Sequence, residues 1–362
     1  MQGTIGVNVN AQGDMVGTFL TVPNIAHGFV RTAASGTIAE FNSPHAGTNL
    51  NQGTFAIGID AAGDAAGMYA DSNNAYHGFV RSAAGPITEF DVPAAPTTTG
   101  HRGTMPLAIN ASGVITGFYV DLGAVRHGFV RAANGTITTF DVPAAGTAIL
   151  DGTVPVGINA NGDVTGFYID ANHLFHGFVR SASSGTITSP IDAPGASTIP
   201  VQKGISFGGT VATGIDTAGD AAGVFTDTAG VFHGYVRLAN GTITTFNVAG
   251  ASGTGLFPGT LVAGMNSAGD ISGFYTDAGG VNHGFLRSAA GAISAPLDAP
   301  AASTTGMFKG TIPLGINGAD EMAGLYADAN GVFHAFLLTP AGATATPTFS
   351  PPAGTYTSAQ MV

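Results

Sequence analysis

The sequence predicts an all-β fold: a seven-bladed β-propeller, each blade a four-stranded antiparallel sheet built from one repeat of about 50 residues. Three observations predict it. A His-Gly-Phe-Val-Arg block recurs at His27, His77, His127, His176, His233 and His283, with only Tyr235 and Leu286 as replacements, and decays to His334-Ala335-Phe336-Leu337-Leu338. Between the blocks, short β-branched runs alternate with turns bearing Gly, Asn or Asp, and no stretch carries the 3.6-residue apolar period of a helix. The chain also begins and ends at the same phase of the repeat, as a ring cut in one connector would, and neither end carries the polar capping repeat that an open solenoid needs.

The third repeat illustrates the elements in order. Gly103 to Asn110 is a short β-prone run, the first strand. Asn110-Ala111-Ser112-Gly113 suits a type I turn, in which the Asx side chain bonds the local backbone. Val114 to Val120 is the second strand, followed by a second turn at Asp121-Leu122-Gly123-Ala124. His127 to Arg131 is the third strand and Thr136 to Asp141 the fourth, separated by a third turn at Ala133-Asn134-Gly135. A Gly/Ala/Thr connector then leads to the next unit. The whole chain, 1–362, reads as one domain with blades at about 3–52, 53–102, 103–151, 152–208, 209–258, 259–309 and 310–362.

If the first strand is innermost, the column Gly58, Ala108, Gly157, Gly214, Gly264 and Gly315 lines the axis, and only Asn8 breaks the run of small residues. This predicts a narrow central channel poor in charge.

Composition narrows the function classes. Charged residues are 9% of the chain, against about 25% in an ordinary domain, while apolar residues at 44% suffice for a core. The net charge of −12 excludes a nucleic-acid footprint and attraction to anionic lipid. With no cysteine, disulfides, thiolate chemistry and Cys-bound metals are excluded. No signal peptide and no stretch long enough to span a membrane precede the first repeat.

The unit Gly-Ile-Asn-x-x-Gly-x-x-x-Gly-x-Tyr-x-Asp followed by His-Gly-Phe or His-Ala-Phe, seen from Gly157-Ile158-Asn159 through Phe178 and again at His334-Ala335-Phe336, resembles the HAF repeat family of bacterial extracellular proteins. The resemblance covers essentially the whole chain. It implies a propeller-like fold in an extracellular or cell-envelope setting, and it names no substrate.

Sorting the loops by strand direction puts the connectors and second turns on one face and the first and third turns on the other. The connector face repeats an Asp…His…Asp pattern: Asp71, Asp121, Asp170, Asp227, Asp277 and Asp328 each precede a block histidine by six residues, and an acid or amide ends most fourth strands. Such groups suit a metal or proton transfer, but seven copies read as an internal network that fixes each turn. No metal or cofactor is implied. The block arginines read as partners of a neighbouring blade's acid or carbonyl, or as side chains reaching the rim.

Residues that break the repeat are the better ligand-binding candidates: His45, His101, Arg102, Lys203, Phe207 and Lys309, all in connectors. Leu256, Phe257, Met307 and Phe308 add apolar surface there. The function this predicts is a monomeric, non-catalytic binding or display propeller whose connector face meets a glycan, peptide or small molecule. The alternative is a hydrolase or lyase with one active site at the channel mouth of that face. No Gly-x-Ser-x-Gly elbow, His-Glu-x-x-His or phosphate loop supports the alternative.

Overall fold

The computed structural model describes residues 3–97, 102–200 and 208–340, together with the strand Thr348–Ser350. Each repeat forms four strands. In the third unit these are Gly103–Ile109, Ile115–Val120, Arg126–Arg131 and Ile137–Phe140, paired antiparallel in that order.

Seven separate four-stranded blades, however, do not form. The third strand of each unit also bridges in parallel to the first strand of the next: Ala26 to Gly53, Tyr76 to Gly103, Arg126 to Gly152, Phe175 to Gly209, Phe232 to Gly259 and Asn282 to Gly310. Phe333 bridges to Gly3 and closes the circuit. The first three strands of the seven units therefore make one closed mixed barrel of 21 strands. The fourth strands, three to five residues long, are short additions hung on the third strands. The expectation of a seven-bladed propeller made of independent sheets is corrected accordingly.

The physical reason is a Gly-Thr pair at the start of every first strand. The seven joint glycines, Gly3 through Gly310, hold φ between 96° and 126°, a region that L side chains rarely adopt. A Cβ at any of them would collide with the backbone carbonyl of the bridged residue. The adjoining threonine is completely buried at Thr54, Thr104, Thr153, Thr210, Thr260 and Thr311. Its Oγ1 accepts the N–H of the residue that opens the preceding connector, from Ser43 to Thr54 at 2.9 Å and from Val92 to Thr104 at 3.0 Å, and likewise from Val142, Ala193, Val248 and Ala299. One dipeptide thus fastens a strand, a neighbouring strand and a loop without an unpaired polar group.

Side chains seal the same seams. The block aromatics Phe29, Phe79, Phe129, Phe178, Tyr235, Phe285 and Phe336 are fully buried. Four of them meet the fourth-strand phenylalanine of the preceding unit edge to face, as Phe79 meets Phe41 at 5.7 Å and Phe129 meets Phe90 at 6.4 Å. The block arginine covers that same ring: Arg81 lies 5.1 Å from Phe41, Arg131 4.7 Å from Phe90, Arg180 4.9 Å from Phe140 and Arg287 4.8 Å from Phe246. These arginines are therefore inter-unit cation–π partners, each worth roughly 0.5–2 kcal/mol, rather than partners of a neighbour's acid.

Each first strand carries a bulge, as between Pro155 and Gly157. Opposite it stands the second-strand glycine, here Gly166, where a Cβ would strike the Val154 carbonyl. At the far end of the strand the Asx residue folds its turn, its Oδ1 accepting two backbone N–H groups, as Asn159 does from Asn161 and Asp163. Five of the seven then donate Nδ2 to the carbonyl of the next unit's Asx: Asn10 to Asp60, Asn110 to Asn159, Asn159 to Asp216, Asn266 to Asn317 and Asn317 to Asn10, at 2.8–3.1 Å. Asp60 and Asp216 occupy the other two places, where an ionised carboxylate has no hydrogen to donate.

Two predictions follow from the seams. Gly152→Ala should destabilise the protein by about 3 kcal/mol or more through strain and collision, whereas Gly36→Ala, at a left-handed turn with open space around it, should cost only about 1–2 kcal/mol; urea unfolding of both variants checks this. The second concerns pH. Burial, and then the charges of Asp64 and Asp220, push the Asp60 and Asp216 carboxyls above their usual range. A carboxyl so raised stabilises the fold while protonated, and that contribution is lost as pH rises through its folded pKa. Asp60→Asn combined with Asp216→Asn should therefore raise the unfolding free energy at about pH 7 by roughly 1–2 kcal/mol, with a much smaller gain at about pH 4.

Candidate functional site

Hydrogen bonds place connectors and second turns on one face. Gln52 in the first connector donates Nε2 to Asn74 Oδ1 in a second turn at 3.0 Å, and His173 in another second turn pairs with Asp151 at 2.7 Å. First and third turns share the opposite face, where Asp14, Asp64, Asp163, Asp220 and Asp270 each accept the N–H of a third-turn alanine.

The repeated histidines on the connector face are held inside their own units. Each block ring stacks on the second-strand aromatic, with centroids 4.8–5.1 Å apart, from Phe19 with His27 to Tyr326 with His334. Nδ1 reaches the end of the fourth strand: Asn42 for His27, Asp91 for His77, Asp141 for His127, Asp192 for His176, Asn247 for His233 and Asp298 for His283, at 2.7–3.0 Å. Nε2 faces the second-turn Asp, closest at His233, 3.2 Å from Asp227. Those Asp residues also accept the turn's own backbone N–H groups, as Asp170 does from Asn172 and Leu174. Among the described residues, no group of three or more His, Asp or Glu is disposed to hold a metal ion.

This network shifts its members in the expected directions. The hydrogen bonds to Asp91 and Asp192 hold His77 and His176 above the usual histidine range despite burial. Burial pushes Asp170 and Asp227 up, but backbone N–H groups and the facing histidines outweigh it and keep both carboxyls low. Burial drives the Tyr168 hydroxyl up to about 12. These groups tie the second turns to the ends of the fourth strands.

The candidate ligand residues lie on different connectors. His101, Lys203 and Phe207 fall outside the described residues. His45 is exposed, and its Nδ1 lies 2.6 Å from Glu89 Oε2, on the fourth strand of the next unit. Burial raises Glu89, yet the hydrogen bonds from His45 and Ser43 prevail and hold it below the usual range. Arg102 is half-buried, and its carbonyl accepts the Tyr76 N–H at 2.8 Å. Lys309 donates Nζ to the Gly279 carbonyl at 2.7 Å. Lys309 lines a recess of about 260 Å³ with Leu256, Thr276, Gly280, Asn282, Gly306, Met307 and Phe308. Nothing among the described residues brings His45, Arg102 and Lys309 together.

A broader feature of this face escapes the reading of repeat-breaking charges. Of ten large apolar side chains exposed among the described residues, eight lie in connectors or second turns: Val22, Leu50, Leu122, Ile149, Leu150, Ile199, Leu256 and Met307. Leu122, Ile149 and Met307 are exposed to 71%, 69% and 71%. The signal was present as large aliphatic residues in loops where sister repeats carry small or polar ones.

The central channel holds a second cavity of about 410 Å³. Its lining runs from Asn8, Ala108, Gly157, Gly214, Gly264 and Gly315 to first-turn residues such as Ala111 and Ser267, so it opens on the face opposite the connectors. No charged side chain lines it among the described residues. A channel mouth on the connector face, as the catalytic alternative requires, is not where this cavity lies.

No family model and no curated protein matches the chain. Solved structures of similar fold include the BP39L lectin from Burkholderia pseudomallei, 10% identical over 97% of this chain and 99% of that one, with a TM-score of 0.57. The β-propeller domain of the Trilobed protease from Pyrococcus furiosus is 8% identical over 93% and 95% of the two chains, with a TM-score of 0.56. Puromycin hydrolase is 12% identical over 94% of this chain and 52% of its own, with a TM-score of 0.57. At these identities the likeness is one of fold, a propeller-like ring. Among the described residues no helix is long and apolar enough to cross a membrane.

The histidine network carries its own prediction. Stability supplied by a histidine held above its usual range is full at low pH and lost as pH rises through its folded pKa. His176→Gln should therefore cost about 1 kcal/mol or more at about pH 6 and less at about pH 8, as thermal unfolding across that range would register.

Proposed function

We propose that the chain is a non-catalytic binding module whose connector face meets its partner. The observation that carries this reading is the crowding of exposed aliphatic side chains onto that face, while the described polar side chains of the repeats are largely spent on their own turns. Exposed apolar side chains gathered on one face of a domain favour an interaction surface there. The recess beside Leu256, Met307 and Lys309 supplies apolar walls and a cation, which suits a peptide that offers an apolar side chain beside a carboxylate. An extracellular or envelope setting, implied by the HAF-type repeat, belongs to the same proposal.

A glycan ligand is the second reading, and the lectin of similar fold is what favours it. Against it stands the sequence, with no Trp and eight Tyr, several of them buried against histidine. A hydrolase or lyase has less support, because the described histidines and acids satisfy one another.

Peptide and glycan arrays probed with the native protein and with Leu256→Ser plus Met307→Ser test the proposal. The double variant should keep its thermal stability and lose about tenfold or more in affinity for peptide ligands. Affinity unchanged in the double variant would reject this face as the site. Binding confined to glycans would favour the second reading.

A further inference from the structure

The channel cavity is a built site that the connector-face reading leaves unused. Its walls are formed by the bulged and following residues of the first strands, such as Ile57, Leu107, Val156 and Leu314. Its rim is preorganised by the Asx ring, whose five described amide donors are already committed to neighbouring carbonyls. A space of about 410 Å³ has the volume of roughly fourteen liquid waters at about 30 Å³ each. Release of water from the aliphatic part of those walls favours an apolar guest.

One position departs from the pattern. At the column where five units place glycine and one alanine, the first unit has Asn8. Asn8 Oδ1 accepts the Val9 N–H at 2.7 Å. Its Nδ2 has no hydrogen-bond partner among the described residues, and the residue lies in the cavity wall. An amide donor left open on an apolar wall is the single orienting group that small-molecule pockets combine with apolar surface. Thr213, the other polar wall residue at this depth, already turns its hydroxyl to the Ala222 carbonyl at 3.4 Å.

We propose that this cavity is a second ligand site, on the face opposite the connectors, and that it takes an uncharged, largely apolar small molecule bearing one hydrogen-bond acceptor for Asn8 Nδ2. The absence of charge from the described lining disfavours ions and zwitterions, which would lose hydration without a counter-charge. This site stands independently of the connector face, and either could fail alone.

The test uses 6-propionyl-2-(dimethylamino)naphthalene, a neutral fluorophore with one ketone acceptor, titrated into the full chain. Saturable binding at one probe per protein with a blue-shifted emission is expected. Ala263→Trp, which fills the channel from the position with the smallest bulged side chain, should weaken binding at least tenfold. Asn8→Gly, which installs the residue found in five sister units, should weaken it about fivefold and move the emission further to the blue as the ketone loses its donor. Leu256→Ser plus Met307→Ser should leave it unchanged. If Ala263→Trp does not fold, Asn8→Gly decides. Absence of saturable binding to the native chain, full affinity in Asn8→Gly, full affinity in a folded Ala263→Trp, or loss in the connector-face variant would each overturn the proposal.

Discussion

The structure depends on one constraint: a backbone bridge that only glycine permits, made seven times. Where each first strand begins, a glycine with strongly positive φ lets the chain pass directly against a carbonyl of the preceding unit, and the buried threonine beside it captures a loop N–H. The bridge makes neighbouring units share a sheet rather than merely pack. Everything else then follows from geometry. The first strands are drawn round a common axis, the bulges turn aliphatic side chains inward, and the Asx turns come close enough to bond in a ring.

Fusion of the units also decides where polarity goes. A repeat with so few charges has little surface polarity to spare, and the described acids, amides and histidines are mostly consumed in holding turns. The imidazoles stack on second-strand aromatics and tie the second turn to the end of the fourth strand, which gives the recurring histidine a structural role in the units that carry it. The block arginines follow the same logic, each lying on a neighbour's ring. On the proposed reading, recognition falls to the variable connectors with their exposed aliphatic side chains and, separately, to the channel.

Much of the architecture was legible in the sequence, because the period, the turn chemistry and the strand order are written into every repeat. The third unit's four strands fall within a residue or so of the stretches that pattern alone defines. The fusion of the blades is not legible in the sequence, for a definite reason. Gly103-Thr104 opens a β-prone run in any reading of pattern, and nothing local says that its glycine faces a carbonyl contributed by another unit. The site was less legible. Charges that break a repeat are easy to notice, but His45 is tied to Glu89 from the next unit and Arg102 stands apart from Lys309. Leu122 and Ile149 carry more of the exposed surface, and aliphatic residues in loops draw little attention until their exposure is known. Asn8 was visible as an oddity in a column of small residues, yet its significance needed the cavity around it.

Native-state hydrogen exchange at the joints tests the central claim most directly. The amides of Tyr76, Arg126, Phe232 and Asn282 each donate across a seam, to Arg102, Asp151, Pro258 and Lys309. If the joints fuse seven units into one barrel, these four amides should exchange only through global unfolding, with a common free energy equal to that from denaturant melts. Exchange at separate, lower free energies, one seam opening while its neighbours stay protected, would mean that the units are independent sheets and would contradict the account.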